Sequence, residues 1–142
     1  MREPTVMRWP ARIKPGQTCQ QVAGTIDLLP TFAALVGADL DKSRPIDGLD
    51  ISMLLDDPTI ASPHDEVGYY YYKNGKVEAI RLGKWKLHLK GQGELYDLRA
   101  DIGESKNVAG ANAEVVAQLR DKATKYNADL QANKRPIWRA GQ

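Results

Sequence analysis

The chain has 142 residues, 42% of them hydrophobic, and a formal charge of +2 from twenty basic and eighteen acidic side chains. That length and apolar content fit one domain with a small appendage and exclude a disordered chain. The charge is small and evenly spread, which argues against nucleic acid, and no apolar run approaches the ~18 residues of a membrane helix.

In chain order, Thr5–Trp9 (TVMRW) is a β-prone run closed by Pro10, which cannot donate to a ladder. Adjacent Val6 and Met7 suit a strand covered on both faces. The first ten residues contain no apolar stretch of the signal-peptide kind, so no export signal is expected in them. Ala11–Gln21 reads as a polar loop around a Pro15-Gly16 turn. It holds Cys19, the single cysteine, which excludes an intramolecular disulfide and a cysteine-based metal site.

A helix follows in TIDLLPTFAALVG. Leu28, Leu29, Phe32, Leu35 and Val36 recur near the 3.6-residue period and predict one buried face. Asp27 is placed as N-cap, Pro30 falls in the first turn, and Gly37 supplies the stop. Ala38–Ser62 is mostly irregular, with an Asp47-Gly48 turn and one helical turn in ISMLL.

From Glu66 the pattern changes to a meander. VGYYYYK and VEAIRL flank Asn74-Gly75, a strong hairpin signal because both residues tolerate positive φ. Gly83-Lys84 makes the next turn before WKLHL, and Gly91-Gln92-Gly93 the one before ELYDL. Trp85, Leu87 and Leu89 alternate with Lys84, Lys86, His88 and Lys90, which predicts four antiparallel strands with one wet face. A last helix runs from Asn112 to about Leu130, and its stripe of Val115, Val116, Leu119, Ala123, Tyr126 and Leu130 covers the dry face. The fold class is therefore α/β (α+β). The expected divisions are 1–62, 63–132 and a tail over 133–142, on which Trp138 is the one docking candidate.

The inventory of reactive groups is short. Of the two histidines, His88 lies between lysines on the wet face and reads as solvated. His64, beside Asp65 and Glu66, forms a His–carboxylate cluster of the type that binds metal or moves protons, on weak spacing. No glycine-rich phosphate loop is present, and Asp39, Asp41, Asp47 and Asp50 lack calcium-loop spacing. Tyr69–Tyr72 suits stacking on a ring, although two tyrosines packing inward and two outward is the simpler account. The residues alone stop at an α/β domain without a visible catalytic centre.

The order of motifs resembles the sulfatases, of the arylsulfatase-like branch of the alkaline-phosphatase-like superfamily. MREPTVMRWPARIKPGQ is similar to the stretch where a Gly-Gly-x-Arg-x-Pro turn feeds a strand ending in Trp-Pro, through Arg2, Pro4, Arg8, Trp9 and Pro10. Asp27, Leu28, Leu29, Pro30, Thr31 and Gly37 stand where the family has its Asp-Leu-Leu-Pro-Thr helix. IDGLDISMLL is similar to an Asp-Gly-x-x-x-x-x-x-Leu segment. Arg81, Gly83–Leu87, Leu95–Leu98, Glu104 and Asn107 resemble the small C-terminal subdomain. Asp101-Ile102 departs from the family's Asp-Pro.

The resemblance implies a sulfuric ester hydrolase whose nucleophile, a Cys or Ser converted to formylglycine, and whose calcium ligands lie upstream of Arg2. Cys19 is not in a Cys-x-Pro-x-Arg context. No catalytic residue or metal ligand carries over, so the chain alone is expected to be inactive and to meet a sulfate ester only within a full-length enzyme. A free-standing binding or assembly module is the alternative. For substrate contact the residues singled out are His64, Tyr72, Lys73 and Asn74, cationic and aromatic groups suited to a sulfated ring. The unpaired edges of Thr5–Trp9 lead to an expectation of homo-oligomers.

Overall fold

The computed structural model describes residues 3–43 and 45–133. Expectations placed on Arg2, on Trp138 and on the tail beyond Asn133 lie outside these residues. The chain divides after Val67 into two compact units.

The first unit is mostly loop. The strand expected over Thr5–Trp9 does not form: the segment has no regular structure, and Pro4–Trp9 is exposed. A strand is stabilised by its ladder, and no described residue supplies one here. A turn at Trp9, whose carbonyl accepts from Arg12 and Ile13, follows, and Arg12 Nε pairs with Asp56 Oδ1 at 2.5 Å.

A 3-10 turn, Thr25–Asp27, runs into helix α1, Leu28–Val36, which ends at Gly37 in the left-handed conformation (φ 67°). The expected buried face is displaced. Leu29, Phe32 and Val36 are 58%, 59% and 76% exposed, while Asp27, Pro30, Thr31 and Ala33 are buried. The cause is the neighbour that α1 acquires. Asp27 Oδ1 accepts the Leu49 N–H at 2.9 Å, and Thr31 Oγ1 accepts the Ile51 N–H at 3.1 Å. Four helical residues rise about 6 Å and two extended residues span about 6.6 Å, so the segment over 49–51 lies along the 27/31 face in register. Helix α2, Met53–Asp56, is the short turn expected in ISMLL. Helix α3, His64–Val67, closes the unit.

The second unit is the four-stranded antiparallel meander in sequence order that the turns predicted: β1 Tyr69–Lys73, β2 Lys76–Leu82, β3 Trp85–His88 and β4 Glu94–Asp97. Asn74 and Gly75 adopt φ of 52° and 74°, the paired positive values of a type I′ turn. The register slips between Tyr71 and Tyr72, which leaves Glu78 as the bulged residue. A 3-10 turn, Ala109–Ala111, precedes helix α4, Ala113–Ala132. Leu119 and Ala123 of α4 pack on Ile80, Leu87 and Leu95 to form the apolar core. Tyr70 stacks on Tyr126, centroids 3.7 Å apart and 5° from parallel. Asn112 makes no side-chain cap; its amide turns back to the Val108 carbonyl at 2.9 Å.

The face expected to be wet is only partly so. Lys86 is buried, its ammonium 2.5 Å from Glu104 Oε1 and over the Tyr71 ring at 5.0 Å. His88 is not simply solvated, because its Nε2 donates to Glu104 Oε2 at 2.7 Å. Strand alternation assigns a side to each residue but does not reveal that a loop 16 to 18 positions later returns to cover it. Burial raises the Glu104 pKa, and the hydrogen bonds and charges of Lys86 and His88 outweigh that, so the carboxyl sits below its ordinary range. Glu104 also holds a positive φ of 55°. Glu104→Ala is expected to cost about 2 kcal/mol, because it leaves Lys86 buried without its carboxylate. A urea midpoint for the variant equal to that of the parent would refute this.

Candidate functional site

Residues singled out in the sequence fall in both units. His64 opens α3 in the first unit, and Tyr72, Lys73 and Asn74 form the end of the β1–β2 hairpin in the second.

His64 is 2% exposed, and the partner of its ring is not Asp65 or Glu66 but Asp27, which is 0% exposed. Nε2 stands 2.9 Å from both Asp27 oxygens. An ionised carboxylate only accepts, so Nε2 carries the proton and donates. Asp27 also accepts from Gly24 N–H at 2.7 Å and from Leu49 N–H. Burial pushes the Asp27 carboxyl up, but the bonds from His64, Leu49 and Gly24 outweigh it and hold it below its usual value. Ser62 fixes the approach of His64: its Oγ donates to the Val22 carbonyl at 2.6 Å and accepts from the His64 N–H at 3.2 Å. Three loop segments thus converge on one carboxylate. Asp27 is the N-cap residue of α1, as expected, but its side chain makes no bond into α1 and instead accepts from Gly24 N–H at the start of the 3-10 turn. A histidine and an aspartate 37 residues apart give no spacing signal.

At the hairpin, Tyr72 shares the helix-facing side with Tyr70 and lies 6.2 Å from Tyr126, tilted by 57°. Tyr69 and Tyr71 meet edge to face at 5.5 Å. The four tyrosines therefore divide between the two faces of the sheet. Lys73 and Asn74 are exposed beside the turn, with Lys73 opposite Lys76 in register.

Neither group implied by the family resemblance fits these residues. Among the described residues no three His, Cys, Asp or Glu side chains gather to hold a metal ion. Among the described residues the one buried carboxylate, Asp27, is already filled by two backbone donors and His64. Cys19 is exposed, and the residues after it, Gln20-Gln21-Val22-Ala23, are not those of formylglycine conversion. What the arrangement offers is a hydrogen-bonded clasp in the first unit and a cationic hairpin end in the second.

Comparison with known proteins agrees with the fold. The family model for the C-terminal region of N-sulphoglucosamine sulphohydrolase matches residues 1–129. Human arylsulfatase A is 36% identical over 151 aligned positions, covering 84% of this chain and 29% of the relative. Rat N-acetylgalactosamine-6-sulfatase is 32% identical, covering 78% of this chain and 21% of its own length. Among solved structures, that of Ps i-CgsB superposes with a TM-score of 0.75 at 27% identity, covering 92% of this chain and 29% of that one. It is also similar to the same protein solved in complex with k-i-k-neocarrahexaose. The chain spans less than a third of the length of these relatives.

Proposed function

The chain belongs to the sulfatases, as a C-terminal region of the N-sulphoglucosamine sulphohydrolase type, and from that premise we propose that it serves as the C-terminal part of a sulfuric ester hydrolase. On this reading the nucleophile and the calcium ligands come from a catalytic portion outside the chain. The observation that carries it is the family match over residues 1–129 in a chain that spans less than a third of the length of its relatives. The exposed Leu29/Phe32/Val36 face of α1 supports it, since an apolar face of this kind marks an interaction surface.

Within the intact enzyme, Tyr72, Lys73 and Asn74 stand at the rim of the substrate pocket. His64 contributes through its hold on Asp27 rather than by touching substrate, because its ring is buried. Lys73→Ala in the intact enzyme is expected to raise KM several-fold, about 1 kcal/mol, at unchanged kcat. Unchanged kinetics would remove the hairpin end from the pocket.

The test of the whole reading is an assay on 4-methylumbelliferyl sulfate with calcium. The chain by itself is expected to give no turnover. The chain joined to the coding region upstream of Met1 is expected to give turnover that depends on a Cys-x-Pro-x-Arg or Ser-x-Pro-x-Arg motif. Turnover by the isolated chain that survives repurification, or an inactive intact product, would overturn it.

A further inference from the structure

The tip of the β1–β2 hairpin is set apart from the rest of the sheet. The register slip between Tyr71 and Tyr72 leaves two residue pairs beyond it, Tyr72 opposite Val77 and Lys73 opposite Lys76. Lys73, Asn74, Gly75 and Lys76 are all exposed. Like charges directly opposed work against pairing, and the bulge interrupts the ladder that would tie the tip to its neighbours. Such a segment opens by itself, at a free-energy cost well below that of unfolding the sheet.

Asn74 and Gly75 at this tip are a reactive pair held apart by the turn. Among the described residues the Asn74 carboxamide makes no hydrogen bond, and a Cβ built on Gly75 would meet nothing within 4 Å. Glycine therefore leaves its own nitrogen unshielded. In the closed turn the two groups do not meet. A type I′ turn has ψ of about 30° at its first central residue, which points the Gly75 nitrogen away from the Asn74 Cβ. Once the tip opens, rotation about that ψ brings the nitrogen to the carboxamide carbon.

We propose that Asn74 is a site of spontaneous deamidation, reached by local opening of the hairpin tip. The Gly75 nitrogen gives its proton to hydroxide and attacks Asn74 Cγ. A C–N bond forms, and the carboxamide nitrogen leaves as ammonia after taking a proton from water, which restores the hydroxide. The resulting succinimide takes up one water. Cleavage between the ring nitrogen and Cγ gives aspartate, and cleavage between that nitrogen and the main-chain carbonyl carbon gives isoaspartate. Water is the sole co-reactant. Either product sets a carboxylate between Lys73 and Lys76 in place of a neutral amide. Aspartate keeps the turn, since Asp-Gly also suits type I′, whereas isoaspartate lengthens the backbone and breaks it.

Ageing of the 142-residue chain in mildly alkaline buffer tests it, with isoaspartate counted on denatured aliquots by isoaspartyl methyltransferase and labelled S-adenosylmethionine. The signal is expected to accumulate about tenfold more slowly than in a free peptide spanning residues 70–79, and to vanish in Asn74→Gln. Lys76→Glu, which sets an opposite charge against Lys73, is expected to slow it about threefold. Urea too dilute to unfold the sheet by circular dichroism should change the rate less than about twofold, because tip opening exposes little surface. No signal from the aged chain, or an undiminished one in Asn74→Gln, would overturn the site. A rate equal to that of the free peptide, unchanged in Lys76→Glu, or climbing with urea in step with global unfolding would overturn its gating by the tip.

Discussion

Asp27→Ala is expected to cost the first unit about 3–5 kcal/mol, enough to unfold it. The carboxylate is fully buried and receives Gly24 N–H, Leu49 N–H and His64 Nε2–H. Alanine removes the one acceptor shared by all three, and each donor then loses its bond without gaining water. The unit has little apolar core to absorb the loss: its buried hydrophobic residues are Val22, Ala33, Ile51 and Leu54. Hydrogen exchange reads the result directly, because the Leu49 and Gly24 amides should lose protection together. Retained protection at both would show that the clasp is not what holds these segments.

The same group makes the unit sensitive to acid. Asp27 has a folded pKa below its unfolded value. Its contribution is therefore present above the ordinary carboxylate range and is lost as pH falls through the depressed folded value. The stability gap between the parent and Asp27→Ala should narrow on that acid limb. A gap constant from pH 7 down through the carboxylate range would contradict the assignment.

Gly48→Ala is expected to be nearly as damaging, at about 3 kcal/mol. A Cβ at this position would stand 1.9 Å from the Ile26 carbonyl oxygen and 2.6 Å from its carbon. Both atoms are backbone, so no rotamer change relieves the clash. The segment must move outward, and Leu49 and Ile51 are then drawn off Asp27 and Thr31. The need for glycine is thus one of close approach between two backbones. Gly75→Ala, in the hairpin, provides the contrast. Open space surrounds that Cβ, and the strain comes only from φ of 74°, so the expected cost is about 1 kcal/mol. Thermal unfolding of the two variants ranks them, and a Gly48→Ala midpoint above that of Gly75→Ala would refute the close-approach account.

The two units differ in how far they can be read without coordinates. In the second, the cues are local. Asn74-Gly75 and Gly83-Lys84 set the turns, alternation sets the faces, and the α4 stripe is cut to the period of one helix. Each strand pairs with its sequence neighbour, so local geometry propagates into the whole sheet. The errors there come where a distant loop intrudes: Glu104 reaches Lys86 and His88 and dries a face that alternation leaves wet.

In the first unit the helix and its glycine stop are legible, but the surface that α1 meets is not. Periodicity shows where apolar residues gather; it does not show whether a partner arrives. Leu29, Phe32 and Val36 gather and remain exposed, while Asp27 and Thr31 take the neighbour, because backbone N–H groups at Leu49 and Ile51 needed acceptors. The His64–Asp27 contact belongs to the same class. His64 invited a reading with Asp65 and Glu66 because a sequence displays only adjacent acids. The fold selected an aspartate 37 residues away whose charge two other backbone donors already stabilise. Local pattern thus determined the strands and turns of the second unit and the helices α1 and α4, but not the fate of Thr5–Trp9, whose β-prone run finds no ladder. Tertiary structure alone decided which polar groups are buried together, since burial makes a carboxylate, an imidazole and two amides depend on one another across loops that carry no periodic signal.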